Sequence, residues 1–280
     1  MTLAVTGASG QLGRLAIAKL KTLVPADSIV ALARTPEKIA DLGVEARAFD
    51  YTTPETLAPA LEGVEVLALI SSSDFNDRAG QHRNVIEAAK SAGVKRLVYT
   101  SILKADQTPL LIAQDHKATE ALLAASGLTT TILRNGWYTE NWTGALPTAI
   151  EAGALIGAVG NGRVSPATRQ DYAEALAAVL AGDGHDNKIY ELGGEVFTMP
   201  GLAAELSKQT GKDIPYNNLD KATYETILRD FGLPDGFAAL LADADAGAAE
   251  GWLLDESGTL AELIGRAPTP MHSAVTAALG

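Results

Sequence analysis

The sequence predicts an α/β fold, a doubly wound parallel sheet followed by a smaller, mostly helical C-terminal lobe. Three observations predict it. Strand-like and helix-like runs alternate through the first 135 residues, the strand runs are almost wholly apolar, and glycine and proline fall at the boundaries between them. Alternation favours parallel pairing through right-handed crossovers. Strands apolar on both faces are what a sheet covered by helices on both sides requires.

In chain order, the strand runs are Leu3–Thr6, Ser28–Leu32, Val44–Phe49, Val64–Ile70, Arg96–Tyr99 and Thr129–Leu133. Helical spacing lies between them at Leu12–Leu23, Pro36–Leu42, Pro54–Leu61, Arg78–Ala92 and Lys117–Ala125. Thr35-Pro36 and Thr53-Pro54 read as N-caps with first-turn prolines. Gly93 and Gly127 follow helical runs, where a left-handed residue ends a helix well.

After Asn135 the rhythm becomes mainly helical, over Thr139–Glu151, Arg169–Ala181, Gly201–Gln209, Lys221–Asp230 and Thr259–Ile264. Short strands are expected at Lys188–Leu192 and Asp213–Asn217. Phe237–Glu250 reads as a helix whose Asp243, Asp245 and Glu250 form a solvated face. The expected division is a cofactor-binding core over 1–135 and a substrate-side lobe over 136–280, with some lobe segments returning to the core sheet.

Composition narrows the function. Of 280 residues, 47% are hydrophobic and 20% charged, which supports a packed core. The net charge of −12 disfavours general binding to nucleic acid or to an anionic membrane. No run is apolar for the ~18 residues a membrane-spanning helix needs, and the start does not read as a signal peptide. Cysteine is absent, which removes thiolate metal sites and cysteine nucleophiles and fits a reducing, cytoplasmic setting. The four histidines are scattered, so no metal is expected.

The strongest local signal is Gly7-Ala8-Ser9-Gly10-Gln11-Leu12-Gly13, after one strand and before one helix. In this Rossmann-like context Gly7 permits a tight turn, Gly10 lets backbone approach a pyrophosphate, and Gly13 lets helix pack on strand. Ser9, Gln11 and Leu12 complete the phosphate loop, where helix N–H groups face the anion. The second strand ends in Arg34, with no acid at its tip, so a guanidinium is available to a 2′-phosphate and NADP(H) is favoured. Asp50 could accept from an adenine amino group or close an Asx turn, with Tyr51 beside it. Ser71, Ser72 and Ser73 follow the fourth strand and Thr100 and Ser101 the fifth, where hydroxyls can meet ribose or nicotinamide or serve as turn chemistry.

VTGASGQLG at the start, Arg34, LVYTS at 97–101, DHKATE at 115–120 and LRNGWYTENW at 133–142 together resemble the NmrA-like atypical short-chain dehydrogenases. The similarity is strongest to the bacterial NADPH-dependent quinone reductases of type 2 and the related triphenylmethane reductases. It runs through IGAVGNGRVSPATRQDYAEA and GLPDGFAALLADADAGAAEG to nearly the whole chain.

The resemblance implies a Rossmann-like NADPH domain and hydride transfer to quinones or similar flat aromatics, without flavin. Members are often oligomeric, which makes a homo-oligomer one expectation. A non-catalytic NADP(H) sensor and a dye reductase are the alternative readings. One departure matters: four positions before Lys117 stands Ala113, not the tyrosine of ordinary short-chain dehydrogenases. Lys117 could still hold a ribose or the nicotinamide. Asn135, Gly136 and Trp137 are assigned to the cofactor, with Arg169, which could instead pair with Asp171; Trp137 could also offer a flat face to an aromatic substrate or pack the lobe onto the sheet. Tyr138 is the expected proton donor or oxyanion partner, and Asn141 the group that hydrogen-bonds a substrate carbonyl. Ile102–Ala113 is expected to form a loop or lid, and His116 either to meet the substrate or to cap the helix that follows.

Overall fold

The computed structural model describes residues 1–74 and 76–280. Seven strands form one parallel sheet: β1 (Leu3–Val5), β2 (Ile29–Ala33), β3 (Glu45–Ala48), β4 (Val66–Leu69), β5 (Arg96–Ile102), β6 (Thr129–Asn135) and β8 (Ile189–Leu192). Their order is β3-β2-β1-β4-β5-β6-β8. The direction of winding reverses at β1, whose neighbours are β2 and β4. A crevice opens at such a point, beyond the carboxyl ends of the strands.

Helix α1 (Gln11–Leu20) crosses from β1 to β2, and α2 (Leu57–Ala60), α3 (Arg78–Ser91) and α4 (Ala113–Ser126) follow in turn. In the second half come α5 (Glu140–Thr143), α6 (Leu146–Ala152), α7 (Arg169–Ala181), α8 (Met199–Thr210), α9 (Lys221–Asp230), α10 (Asp235–Ala249), α11 (Thr259–Ile264) and α12 (Met271–Leu279). A second, two-stranded parallel sheet pairs β7 (Leu155–Gly157) with β9 (Tyr216–Asn218).

Alternation of side chains along each strand divides the core into layers. Leu3, Val5 and Ala31 point toward α1 and α7, while Ala4, Val30 and Leu67 point toward α3 and α4. A third cluster, around Trp142, Leu206 and Leu253, is the core of the lobe. Although α7 and β8 lie in the second half of the chain, they complete the sheet and its cover. Gly93 and Gly127 take φ of 73° and 79°, as their helix-ending positions require.

Several elements differ from expectation. Pro36–Leu42 is a 3₁₀ helix, and Pro54–Leu61 divides into a 3₁₀ turn at Pro54–Thr56 and the single turn of α2. Such short crossovers leave little room for regular α-helix. Thr35 and Thr53 stand at the N-cap positions but make no side-chain capping bond. The helix expected over Thr139–Glu151 is broken into α5 and α6, with Pro147 in the first turn of the second. Strand β7 carried too few residues to be read from periodicity.

The acidic face expected on α10 is also revised. Asp245 is buried, its carboxylate accepting from Ala158 N at 2.9 Å and Trp142 Nε1 at 3.4 Å. Asp243 takes Lys221 Nζ and Leu111 N. Burial raises the Asp245 pKa to about 6, which its two hydrogen bonds only partly offset. The folded chain therefore holds this proton more tightly than the unfolded chain, where a value near 3.8 applies. Asp245 favours folding most below pH ~4, and that advantage is lost as pH climbs to about 6. Asp245→Asn should remove the slope. In urea unfolding, the variant should gain about 2 kcal/mol on the wild type between pH ~4.5 and ~7. A difference that does not change with pH would refute the assignment.

Candidate active site

The turn after β1 positions the first half of the site. Gly7 has φ +60°, which L side chains rarely adopt. A Cβ on Gly13 would lie 2.4 Å from Gly7 O and 2.9 Å from Ala8 Cα, so only hydrogen fits where α1 meets the turn. Helix α1 starts at Gly10 with no side-chain cap, which leaves its first-turn amides available to an anion.

Around this turn lies a cleft of about 750 Å³, lined by Gly7, Ser9, Gly10, Gln11, Leu12 and Gly13, by Arg34, and by Asp50 and Tyr51. Its far wall is Ser71–Ser73 with Tyr138 and Arg169. Arg34 is exposed and makes no ion pair with a described residue. Asp50 Oδ1 accepts from Thr52 N and Thr52 Oγ1, the Asx turn, while the residue still faces the cleft. The Tyr51 hydroxyl joins Thr6 Oγ1 and the Ile70 carbonyl, tying the loop after β3 to β1 and β4.

The serine loop is held from behind. Ser71 N donates to Thr100 Oγ1, Ser72 N to His82 Nε2, and Arg78 Nε to the Ser72 carbonyl. Ser72 Oγ donates to Gln81 on α3. Since His82 Nε2 accepts, its proton is on Nδ1 and goes to Thr119 Oγ1 at 2.8 Å. Burial lowers the His82 pKa to about 3, with Arg78 adding to the effect, so this imidazole is a neutral strut.

A second cavity of about 590 Å³ adjoins the first, sharing Ile70, Ser71–Ser73, Tyr138 and Arg169. Its walls are mainly apolar: Ile102, Ile112, Trp137, and Phe237, Leu240 and Leu241 from α10. Thr100, Ser101, His116, Asn135, Gly136 and Asn141 add polar groups. Gly136 is required by close approach, because a Cβ there would meet Tyr172 Oη at 2.8 Å. Ser101 Oγ donates to Glu120, which is in turn gripped by Arg134.

Tyr138 stands where the two spaces meet. The Arg169 guanidinium lies 4.5 Å above its ring, and Tyr172 packs edge-on. Burial raises the Tyr138 pKa, while the Arg169 cation works against that shift. The hydroxyl thus keeps its proton near neutral pH and can donate it. Arg169 does not pair with Asp171. It reaches Glu140 at 3.5 Å and Asn141 Oδ1 at 3.2 Å, because Asp171 is taken by Thr168, Thr269 and Arg266.

The structure brings every sequence-predicted site residue to one of these spaces except Lys117, which is exposed on α4 and lines neither. Its neighbour His116 turns inward, into the cavity wall, and caps nothing. Of the segment Ile102–Ala113, Ile102 and Ile112 face the cavity. Sequence reasoning missed the contribution of α10. Phe237, Leu240 and Leu241 have the i, i+3, i+4 spacing of an apolar stripe, which was the available signal.

A dinucleotide fits these residues. The glycine turn excludes side chains, the α1 amides are uncapped, and Ser71 Oγ and Asn135 Oδ1 are buried with no hydrogen-bond partner among the described residues. Buried polar atoms without partners mark places where a ligand supplies them.

Comparison with known proteins agrees. Residues 7–183 match a family model described as NAD(P)H-binding. The chain is 50% identical to quinone oxidoreductase 2 of Escherichia coli over 98% of its own length and 97% of that protein's. The crystal structure of that NADPH-dependent enzyme with NADPH superposes with a TM-score of 0.98 at 49% identity, covering all of both chains. The triphenylmethane reductase of Citrobacter sp., complexed with NADP(H), gives 0.94 at 36% identity over 99% of this chain and all of that one. The chain therefore belongs to the NAD(P)H-binding, NmrA-like family of atypical short-chain dehydrogenases, in the group that contains quinone oxidoreductase 2.

Proposed function

We propose that the protein is an NADPH-dependent oxidoreductase that passes hydride to quinones or similar flat electrophilic aromatics. The observation that carries this reading is the mainly apolar cavity of about 590 Å³ opening directly onto the dinucleotide cleft at Ser71–Ser73 and Tyr138. A sensor that only binds the dinucleotide has no need of such a space, whereas an organic acceptor must lie beside the nicotinamide. When bound, NADPH supplies the hydride.

The chain's residues bind and orient. The α1 amides and the glycine turn take the pyrophosphate, Arg34 the 2′-phosphate, and Ser71, Thr100, Ser101 and Asn135 the nicotinamide end. Trp137 and the α10 stripe offer flat apolar contact and exclude water from the acceptor. Tyr138, protonated and beside Arg169, is placed to hydrogen-bond an oxygen as charge develops on it. Asn141, held by Arg169, is the second polar contact. Lys117 has no place in this assignment, since its ammonium is in solvent.

Steady-state NADPH oxidation with 1,4-benzoquinone tests the reading. Tyr138→Phe should lower kcat/KM by ~10–100-fold and Asn141→Ala by ~10-fold, with NADPH affinity little changed. Unchanged turnover in both variants would remove the two side chains from the mechanism. A wild-type enzyme that oxidises no NADPH with any quinone would favour the sensor.

A further inference from the structure

One buried polar group in the cavity wall has no part in that assignment. His116 is 6% exposed and lines the acceptor cavity beside Ser71, Thr100, Asn135 and Trp137. Its Nδ1 lies 2.7 Å from the hydroxyl of Tyr99, which is fully buried in β5. With Nδ1 held by Tyr99, Nε2 is the ring nitrogen left without a hydrogen bond to a described residue, on a ring that lines the cavity.

Hydrogen-bond directions fix the tautomer. Burial raises the Tyr99 pKa, so the phenol keeps its proton. Burial also lowers the His116 pKa far below its ordinary value, with Arg78 and His82 on α3 adding to the effect. Two neutral groups at 2.7 Å share one proton. If Nδ1 supplied it, the phenolic proton would need another acceptor. Among the described residues His116 Nδ1 is the one atom that meets hydrogen-bond geometry with that hydroxyl, while the Ser71 and Thr119 hydroxyls lie near it without doing so. The neighbouring Thr119 hydroxyl already accepts from His82 and donates to the Asp115 carbonyl. Tyr99 O–H therefore donates to Nδ1, and the imidazole carries its own proton on Nε2, facing the cavity.

We propose that His116 presents a neutral Nε2–H donor to a carbonyl oxygen of the acceptor, and that Tyr99 is the positioning residue that holds this tautomer. The proposal rests on the hydride-acceptor reading above. When hydride adds to a ring carbon with its two electrons, a carbonyl π pair moves onto oxygen and water protonates that oxygen; the reduced ring carbon then gives up one proton to water while water protonates the second carbonyl oxygen, which completes the hydroquinone. The Nε2–H bond strengthens as that oxygen gains charge. His116 does not give up its proton, because an imidazolate is far more basic than a phenolate. A neutral imidazole can serve as an electrophile in this way. The contact also sets specificity, since acceptors with a carbonyl oxygen gain from it and cationic dyes without one do not.

The test combines side-chain ¹⁵N NMR and kinetics on the full chain. His116 should show the Nε2–H tautomer and no protonation between about pH 5.5 and 8, and Tyr99→Phe should shift it toward Nδ1–H. His116→Leu should lower kcat/KM for 1,4-benzoquinone by ~30–300-fold while the NADPH dissociation constant, read by fluorescence, stays within ~2-fold. His116→Gln, which keeps an N–H donor, should recover much of the loss. An Nδ1–H or doubly protonated ring in the wild type overturns the proposal, and so does wild-type turnover in His116→Leu. Absence of quinone turnover in the wild type would sink the broader reading, whatever the NMR shows.

Discussion

Gly13→Ala is expected to cost about 3 kcal/mol of stability and to weaken dinucleotide binding by ~100-fold or more. The added Cβ would sit 2.4 Å from Gly7 O and 2.9 Å from both Ala8 Cα and Gly7 C. All three are backbone atoms, so no side chain can swing away. Relief requires α1 to move off the turn or the turn to open. The first loses packing of Leu12, Ala16 and Ile17 against the sheet. The second misaligns the uncapped amides to which the pyrophosphate is assigned.

Gly236→Ala is the control. A Cβ there meets nothing within 4 Å, and alanine in the first turn of α10 should leave stability unchanged or raise it by up to ~1 kcal/mol. Thermal unfolding and calorimetric titration with NADPH read both effects. Binding of wild-type strength in Gly13→Ala would show that this turn is not the phosphate site.

Arg34→Asp is expected to weaken NADPH binding by ~10²–10³-fold and NADH binding by less than ~3-fold. Arg34 follows β2 at the carboxyl edge of the sheet and lines the same cleft as the glycine turn. It makes no ion pair with a described residue, so pairing with a phosphate costs no existing partner. A charge-assisted hydrogen bond is worth about 1.5–3 kcal/mol, and an aspartate in its place adds repulsion toward a dianion. NADH lacks that phosphate and loses little. Because the site is exposed, the preference should narrow as salt is raised. Equal weakening of both coenzymes in parallel titrations would mean that Arg34 supports the fold of the loop and does not read the phosphate.

The fold and the residues that line the cleft around the glycine turn were legible because both depend on local sequence. Gly7, Gly10 and Gly13 act within one turn, Arg34 sits at a strand tip, and Ser71–Ser73 directly follow β4. Strand–loop–helix order places all of them at one sheet edge. The apolar cavity was harder to read. Its wall joins Ile102 and Ile112, Trp137 after β6, and Phe237 and Leu241 from a helix about 100 residues later. His116 and Lys117 show the limit most directly. Adjacent in sequence, they point about 100° apart on a helix, and only the packing of α4 on β5 selects which one faces the cavity.

The sequence by itself determined the parallel sheet and the glycine turn, and through Arg34 it pointed to NADP(H), because each follows from backbone geometry or charge within a few consecutive residues. Tertiary structure alone decided that Arg169 serves Tyr138 and leaves Asp171 to Arg266, that Asp245 is buried, and that the His116 ring lies against Tyr99. Those outcomes depend on which distant side chain reaches a given atom first, and burial then sets its protonation.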